Sequence, residues 1–169
     1  MKNPDLADAV ARVRDGDGDA FAEIYASLRT PVYTVALRIL RERSAAEDVT
    51  QEVFLKLLDS PPGDSVRDLR AWIFRVTHNC AVDIWRRGHT VPLDEQAETA
   101  EEDESANTLL RLDLQSAMSL LPADRREILA MHLNGGLTFR AIAGILDLSV
   151  PAVYRKYRDA IRRLQTMLR

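Results

Sequence analysis

The sequence has little of what marks secreted or membrane-spanning proteins. It contains one cysteine, Cys80, so no internal disulfide can form. No apolar run approaches the roughly 18 residues that a membrane span requires. The first ten residues, MKNPDLADAV, lack the apolar stretch of a signal peptide. These absences predict a cytoplasmic protein that does not insert into membranes.

Signals for β-strands are also scarce. Aromatic residues make up 6% of the chain and charged residues 29%, a composition that suits a helical protein. Apolar residues recur at steps of three and four, for example at Val32, Val35, Ala36 and Ile39, and no segment alternates as a strand does. The sequence therefore predicts an all-α fold.

Two patterns resemble metal sites but are incomplete. The segment DGDGD at 15–19 begins like a calcium loop, but Ala20 and Ala26 stand where that loop needs glycine and glutamate. The only cysteine and the nearby histidines do not have the spacing of zinc ligands. We expect no metal and no cofactor, and we interpret DGDGD as a turn before a helix.

Basic residues are missing from the middle of the chain, residues 89–107, which hold seven carboxylates. Residues 1–88 are nearly balanced, with 13 basic and 14 acidic side chains, whereas residues 108–169 carry 10 basic and 5 acidic ones. An acidic segment without periodicity is typical of a flexible linker. We therefore expect two small helical domains, 1–88 and 108–169, of which the second attracts polyanions.

Helix boundaries in the first domain can be predicted from caps and breakers. Pro31 is expected to bend a helix or to start a new one. Ser44, followed three residues later by Glu47, forms a capping box that predicts a helix start. The prolines and glycine of DSPPGDS, residues 59–65, end that helix, and a long helix follows from about 67 to 87.

The second domain contains a helix-turn-helix pattern in residues 137–164, LTFRAIAGILDLSVPAVYRKYRDAIRRL. Thr138 can cap a short helix and Ser149 a longer one, with Asp147 in the turn between them. Pro151 falls in the first turn of the second helix, where its missing N–H has no cost. In this motif the second helix enters the major groove of DNA.

The predicted second helix has a basic outer face, which includes Tyr154, Arg155, Arg158 and Arg162. Such a face is explained if its partner is DNA. The alternative is a solvated basic face on an ordinary helical hairpin.

The first domain has two further polar helix faces. Asp48, Gln51 and Glu52 share one edge of a helix and can bind a basic helical partner, or they simply form a solvated helix N-terminus. On the helix 67–87, a basic and amide face suits single-stranded DNA. On the same helix, Trp72 fits a core position better than a stacking platform.

These segments together resemble a known family. AEDVTQEVFLKLL and LRAWIFRVTHNCAVDIWRR resemble region 2 of bacterial extracytoplasmic-function (ECF) sigma factors, and GDGDAFAEIYASLRTPVYTVALRIL resembles the start of that region. LPADRREILAMHLNGGLTFRAIAGILDLSVPAVYRKYRDAIRRL resembles region 4. The resemblance covers about residues 15–88 and 109–168 in the order of the family, with a variable linker between them.

The resemblance implies a subunit of RNA polymerase that recognises promoters, and not an enzyme. It implies that the domain 1–88 binds the β′ clamp and opens the −10 element. It also implies that the domain 108–169 binds the −35 element and the β flap. An anti-sigma factor is a further implied partner.

The resemblance also assigns roles to individual residues. It implies polymerase binding by Asp48, Gln51, Glu52 and Leu55. It implies −10 binding by Ser60, Asp64, Arg75, His78, Asn79, Asp83, Arg86 and Arg87. It implies −35 binding by Arg140, Ala152, Tyr154, Arg155, Lys156, Arg158 and Arg162.

The chain departs from the family pattern in its helix-turn-helix. Asp147 stands where the turn usually has glycine, and Ala141 stands where glutamate usually completes a capping box. At the start of the second helix, the family's common small residues are replaced by Pro151 and Ala152. A lysine that is frequent in the family is replaced by Tyr154. Two other readings remain open: a sigma mimic that titrates an anti-sigma factor, and a plain helix-turn-helix regulator.

Overall fold

The computed structural model describes residues 3–63, 66, 68–88 and 109–169, and all regular elements within these ranges are α-helices. The all-α prediction is confirmed. The linker predicted at 89–107 lies outside the described residues. The helices, in chain order, are α1 (Asn3–Arg14), α2 (Gly18–Leu40), α3 (Arg43–Asp59), α4 (Leu69–Gly88), α5 (Leu109–Ser119), α6 (Ala123–Leu133), α7 (Phe139–Leu146) and α8 (Val150–Met167).

The DGDGD segment forms the turn before α2, as predicted. Asp17 is the N-cap residue, and its carboxylate accepts hydrogen bonds from the N–H groups of Asp19 and Ala20 at 3.0 and 3.3 Å. The Nε of Arg12 donates to the same carboxylate at 2.9 Å. The carboxylate of Asp17 therefore serves the start of a helix.

Pro31 does not start a new helix, which was one of the two predicted outcomes, because α2 runs without a break from Gly18 to Leu40. A proline inside a helix removes one hydrogen bond and costs about 3 kcal/mol. The neighbouring side chains of Leu28, Val32 and Val35 are fully buried. Their burial offsets the cost of the proline, since each large apolar side chain contributes about 1.5–3 kcal/mol.

The predicted capping box at Ser44 is also wrong. α3 begins two residues earlier than a Ser44 cap would place it, at Arg43, and its N-cap residue is Glu42, whose side chain makes no capping bond. The reason lies at the end of α2, where Arg41 adopts a left-handed conformation with φ of 59°. This conformation turns the chain so sharply that α3 starts before Ser44 is reached.

The helices α1–α4 form the N-terminal half of the structure around an apolar core. α2 contacts α1, α3 and α4, so it is the central helix of this half. The core holds the largest fully buried side chains of these helices, which are Leu6, Ile24, Leu28, Val32, Ile39, Leu57, Ile73 and Phe74.

The helices α5–α8 form the C-terminal half and contain the predicted helix-turn-helix. The Oγ1 of Thr138 accepts from the N–H of Ala141 at 3.1 Å, and the Oγ of Ser149 accepts from the N–H of Ala152 at 3.2 Å. Asp147 ends α7 in the left-handed conformation, with φ of 56° and ψ of 46°. The two caps and the turn are confirmed at the predicted residues.

The two halves lie against each other. α2 contacts α6, and α4 contacts α7. The Nε of Arg126 donates to the carbonyl oxygen of Arg38 at 2.7 Å, and the guanidinium of Arg70 donates to the carbonyl oxygen of Gly135 at 2.9 Å. One apolar cluster extends from the N-terminal half to α6, α7 and the start of α8. We call this contact between the halves the seam.

The left-handed turn yields a testable prediction. A β-branched residue is poorly accommodated at φ of 56°, so Asp147→Val should lower the free energy of unfolding by about 1–2 kcal/mol. Asp147→Gly relieves the strain of a Cβ and should raise the free energy of unfolding by up to about 1 kcal/mol. Urea unfolding followed by circular dichroism measures both changes. A valine variant as stable as the glycine variant would contradict the assigned turn.

Candidate functional site

The outer face of α8 is exposed, as predicted. Arg155, Arg158 and Arg162 are all exposed, and Tyr154 retains 48% of its accessible surface. The opposite side of α8 is buried against the C-terminal half through Val153, Ala160 and Leu164. The helix therefore presents a row of guanidinium groups next to one aromatic ring, which we call the α8 face.

Tyr154 is positioned by a group of aromatic rings that the sequence did not reveal. Its ring meets Phe139 edge to face, with centroids 5.7 Å apart. Phe139 stacks on His132 at 4.5 Å and contacts Tyr157 at 5.0 Å. The Nδ1 of His132 donates to the carbonyl oxygen of Leu137 at 2.8 Å. The start of α8 is thus fixed against α6 and α7.

Three further residues predicted to bind DNA differ in their availability. Arg140 is exposed on α7. Ala152 is half-buried, and its N–H is used by the Ser149 cap. Lys156 is also half-buried, and its Nζ donates to the carboxylate of Asp124 at 2.5 Å. Lys156 is therefore engaged in an internal ion pair, which its place in the sequence pattern did not indicate.

Lys156 belongs to a network of ion pairs that joins α6 to α8. Arg125 lies between two carboxylates, with Nε 2.7 Å from Asp159 and a guanidinium nitrogen 3.0 Å from Asp124. Arg163 adds a second contact to Asp159 at 2.9 Å. Charge-assisted bonds of this kind are stronger than neutral ones, and they fix the angle between the two helices.

The network lowers the pKa of both carboxyl groups. Burial alone would raise the pKa of Asp124, but the hydrogen bonds from Lys156 and Arg125 outweigh it and hold this pKa below 3.8. The pKa of Asp159 is lowered chiefly by its hydrogen bond from Arg125. Both groups are therefore carboxylates at neutral pH, and they favour the cationic form of their partners.

On α3, the predicted edge is exposed. Asp48, Gln51 and Glu52 lie on the surface, and we call them the acidic edge. Two leucines next to it are unusually exposed for their size, Leu55 at 63% and Leu58 at 51%. Leu55 was predicted to be part of this site and Leu58 was not. An exposed apolar ridge beside carboxylates is typical of a protein-binding surface.

On α4, most of the predicted residues lie at the surface. We use the name α4 face for the exposed side chains of this helix together with the partly covered His78. The exposed members are Arg75, Asn79, Asp83, Arg86 and Arg87.

The remaining predicted residues of this region differ from the exposed members. His78 keeps only 19% of its side-chain surface, because its Nδ1 is hydrogen-bonded to Glu127 of α6. Ser60 is exposed, and its Oγ donates to the carboxylate of Asp59 at 3.5 Å. Asp64 lies outside the described residues. Trp72 is half-buried against the apolar core, as predicted.

A crevice between α3 and α4 brings the acidic edge and the α4 face together. Its walls include Glu52 and Lys56 from α3, and Asn79, Asp83 and Arg87 from α4. The polar groups of two separately predicted sites are thus neighbours. This proximity depends on how α3 and α4 pack, so the spacing within either helix could not indicate it.

Cys80 lies in the same crevice and is chemically protected. Burial raises the pKa of its thiol, an effect that is partly offset by the charge of Lys56, whose Nζ lies 3.6 Å from the sulfur. A thiol with a raised pKa holds little thiolate at neutral pH, and thiolate is the reactive form.

Comparisons with known proteins identify the family of the chain. The family model for Sigma-70 region 2 matches residues 24–90, and the model for Sigma-70 region 4 matches residues 111–164. Together the two models cover most of the chain. The protein belongs to the sigma-70 family of RNA polymerase sigma factors, within its ECF group. This family consists of non-enzymatic transcription regulators.

Curated relatives match over nearly the whole chain. The ECF RNA polymerase sigma factor SigK of Mycobacterium tuberculosis (strain H37Rv) is 26% identical over 179 residues, which covers 97% of this chain and 94% of the relative. SigK of Mycolicibacterium vanbaalenii is 28% identical over 173 residues, with 95% and 88% covered.

Solved structures share the fold. CnrH in complex with the cytosolic domain of CnrY has a TM-score of 0.70 and 22% identity, with 97% of each chain covered. The sigma factor RpoE in complex with the anti-sigma factor NepR, from Bartonella quintana, has a TM-score of 0.69 and 19% identity. That comparison covers 88% of this chain and 96% of the other.

Two searches of the described residues had negative results. None of their helices combines the length and the apolar character that crossing a lipid bilayer requires. Within the same residues, no three histidine, cysteine or acidic side chains converge as metal ligands do.

The ion-pair network predicts acid sensitivity of the C-terminal half. The pKa of Asp124 is lower in the folded state than its ordinary 3.8, so its stabilising contribution is present above about pH 3.8 and is lost as the pH falls through the lowered value. Asp124→Asn should therefore reduce the melting temperature at pH 7, and the difference from the wild type should shrink below about pH 3.8.

Melting curves between pH 7 and pH 2.5, followed by circular dichroism, check this prediction. Asp113→Asn, at an exposed position of α5, is the matched control and should show no such convergence. If the melting temperatures of Asp124→Asn and wild type differ by the same amount across this pH range, the pairing of Asp124 with Lys156 and Arg125 is not formed.

Proposed function

We propose that this protein binds core RNA polymerase and directs it to promoters by recognising a −35 element with α8 and a −10 element with the α4 face. The observation that carries this proposal is the placement of three exposed surfaces on the two sigma regions. The acidic edge and the α4 face lie on region 2, and the α8 face lies on region 4. The proposal divides the chain into domains at 1–88 and 108–169.

The α8 face suits duplex DNA. In helix-turn-helix proteins, residues near the N-terminus of the second helix contact base edges in the major groove. Tyr154 and Arg155 occupy this part of α8, whereas Arg158 and Arg162 lie one and two turns further on and suit phosphate contacts. Lys156, engaged with Asp124, supports the helix and does not bind DNA in this proposal.

The α4 face suits the strand that is exposed when the −10 element opens. Exposed arginines can hold phosphates, and the amide of Asn79 can hydrogen-bond to the edge of an unstacked base. Arg75 lies one turn before Asn79 on the same side of α4. In this proposal the loop before α4, including Ser60 and Asp64, holds an extruded base.

The acidic edge suits a basic helix of the polymerase, and we assign it to the β′ clamp. Leu55 and Leu58 supply an apolar centre, and Asp48, Gln51 and Glu52 supply the polar rim that such interfaces have. We assign the β flap to the C-terminal half. A regulatory anti-sigma factor is proposed as a further partner, since the related sigma factor RpoE was solved with the anti-sigma factor NepR.

The first prediction from this proposal concerns polymerase binding. Asp48→Arg, or Gln51→Ala combined with Glu52→Arg, should weaken binding to core polymerase at least tenfold, since charge reversal places like charges in the interface. The fold should persist because all three residues are exposed. Native gels with purified core enzyme measure the affinity.

The control is Glu23→Arg, the same kind of charge reversal on an exposed position of α2. If the Asp48 and Glu52 variants bind core polymerase like the wild type, the acidic edge is not the contact. A plain helix-turn-helix regulator would not bind core polymerase at all.

The second prediction separates the two DNA faces. Arg155→Ala should leave polymerase binding intact and weaken −35 recognition, by about 1–3 kcal/mol if the side chain reads a base. If Arg158 holds a phosphate, Arg158→Ala should weaken binding to all promoter sequences by the same factor. Arg75→Ala and Asn79→Ala should spare −35 binding and reduce opening of the −10 element.

Permanganate reactivity of unpaired thymines measures opening, and competition with altered promoters measures −35 specificity. Arg29→Ala, at an exposed position of α2, is the control for loss of one positive charge. A sigma mimic would bind an anti-sigma factor and give no opened promoter with any variant. Loss of polymerase binding in the Arg155 variant would contradict the assignment of the α8 face.

A further inference from the structure

The end of α8 that begins the helix exposes apolar side chains. Leu148, Val150 and Tyr154 keep 37%, 43% and 48% of their accessible surface, and Pro151 is exposed as well. Val150 and Tyr154 are four residues apart in the helix, so they lie on the same side of it. We call Leu148, Val150, Pro151 and Tyr154 the apolar end of α8.

Few hydrogen-bonding groups are available at the apolar end of α8. Pro151 has no N–H, and the N–H of Ala152 donates to the Oγ of Ser149 at 3.2 Å. The Nζ of Lys156 is engaged in the ion-pair network between α6 and α8. The first turn of α8 therefore presents mainly carbon atoms to a partner.

The apolar end of α8 is also rigid before any partner binds. The ring of Tyr154 meets Phe139 edge to face at 5.7 Å, and Phe139 stacks on His132 at 4.5 Å. Val150 is β-branched and stiff at its first side-chain torsion, and the ring of Pro151 restricts the backbone. Because these side chains lose little freedom on binding, the gain from a small apolar contact is not cancelled by the cost of ordering them.

Positive charges flank the apolar end of α8. Arg155 follows Tyr154 in the helix, and Arg140 follows Phe139, on which Tyr154 packs; both arginines are exposed. A partner that matches this surface has apolar groups set within a negatively charged molecule. Duplex DNA fits this description, since the C5-methyl group of thymine is the apolar group that base edges present in the major groove. An apolar protein surface would not need the flanking guanidinium groups.

We propose that Val150 and Tyr154 read thymine in the −35 element by contact with its methyl group. The inference rests on the proposed function, which places α8 in the major groove of that element, and it adds the identity of the base and the kind of contact. Because the contact is apolar, a base pair without the methyl group should be bound less tightly even when its hydrogen-bonding groups are the same.

Deoxyuridine isolates the methyl group, because it pairs as thymidine does and lacks only that group. Wild-type protein with purified core polymerase first selects duplexes from a pool of random sequence. A selected duplex is then synthesised with each thymine of its upstream element replaced by uracil, one at a time. At one or two positions the apparent Kd should rise about fourfold, the factor expected when one methyl group is lost from an apolar contact. At the other positions the Kd should stay the same.

Two alanine variants connect the methyl group to the protein. Val150→Ala and Tyr154→Ala should each weaken binding to the thymine duplex. At the position that the lost side chain contacts, the ratio of uracil to thymine Kd should fall from about four to about one. Tyr154→Phe keeps the ring and should keep the ratio. Met167→Ala, which removes an exposed apolar side chain from the other end of α8, is the matched control.

The two positions differ in their structural importance. Tyr154 packs on Phe139, so melting curves are needed to show that Tyr154→Ala is folded. Val150 is exposed at the first position of α8, and Val150→Ala keeps the test decisive if the tyrosine variant is unstable.

Three results would overturn the methyl contact while the proposed function stands. The first is equal affinity of the wild-type complex for thymine and uracil duplexes at every position. The second is a ratio that persists in both alanine variants. The third is wild-type affinity of both alanine variants for the thymine duplex, which would assign the apolar end to another protein or to a second copy of this chain. Wild-type protein that binds core polymerase but selects no sequence would instead refute the proposed function, and the methyl contact with it.

Discussion

The arrangement of the two halves depends on the approach of the Phe74 ring to the backbone at Gly135. Phe74 is fully buried in the core of the N-terminal half, and Gly135 follows the C-terminal end of α6 in the other half. A Cβ at this position would lie 2.5 Å from the carbonyl oxygen of Met131 in the same chain segment and 3.2 Å from the ring of Phe74, so glycine relieves crowding where the two halves approach. The hydrogen bond from Arg70 and the contact between His78 and Glu127 form on either side of this point.

α4 consequently serves three purposes with one sequence. Its buried side holds the core through Ile73 and Phe74, and its outer side carries the polar residues assigned to DNA. Its contact with α7 adds the seam. A helix that carries a core, a proposed nucleic-acid surface and a domain contact has few positions left that can vary freely, so a substitution on α4 will seldom affect a single property.

The sequence predicted what depends on local chemistry. The caps at Thr138 and Ser149 and the left-handed Asp147 follow from bonds within a few residues, and they were found where expected. The expected helix start at Pro31 and the capping box at Ser44 failed where packing or a neighbouring turn outweighed a local preference. Pairings between distant residues could not be predicted from periodicity, and they include His78 with Glu127 and Lys156 with Asp124. The positions of the polar helix faces could thus be predicted from the sequence. The contacts that other helices make with residues on these faces could not.

The exposed leucines beside the acidic edge have a consequence for the protein in concentrated solution. Leu55 and Leu58 leave an apolar ridge open to water on α3, and such ridges attract one another. The leucines of two free chains can pack against each other, although the acidic edges of the two chains repel at low salt. We therefore expect self-association of overproduced protein to increase as salt is added, and co-production with a partner that covers α3 to reduce it.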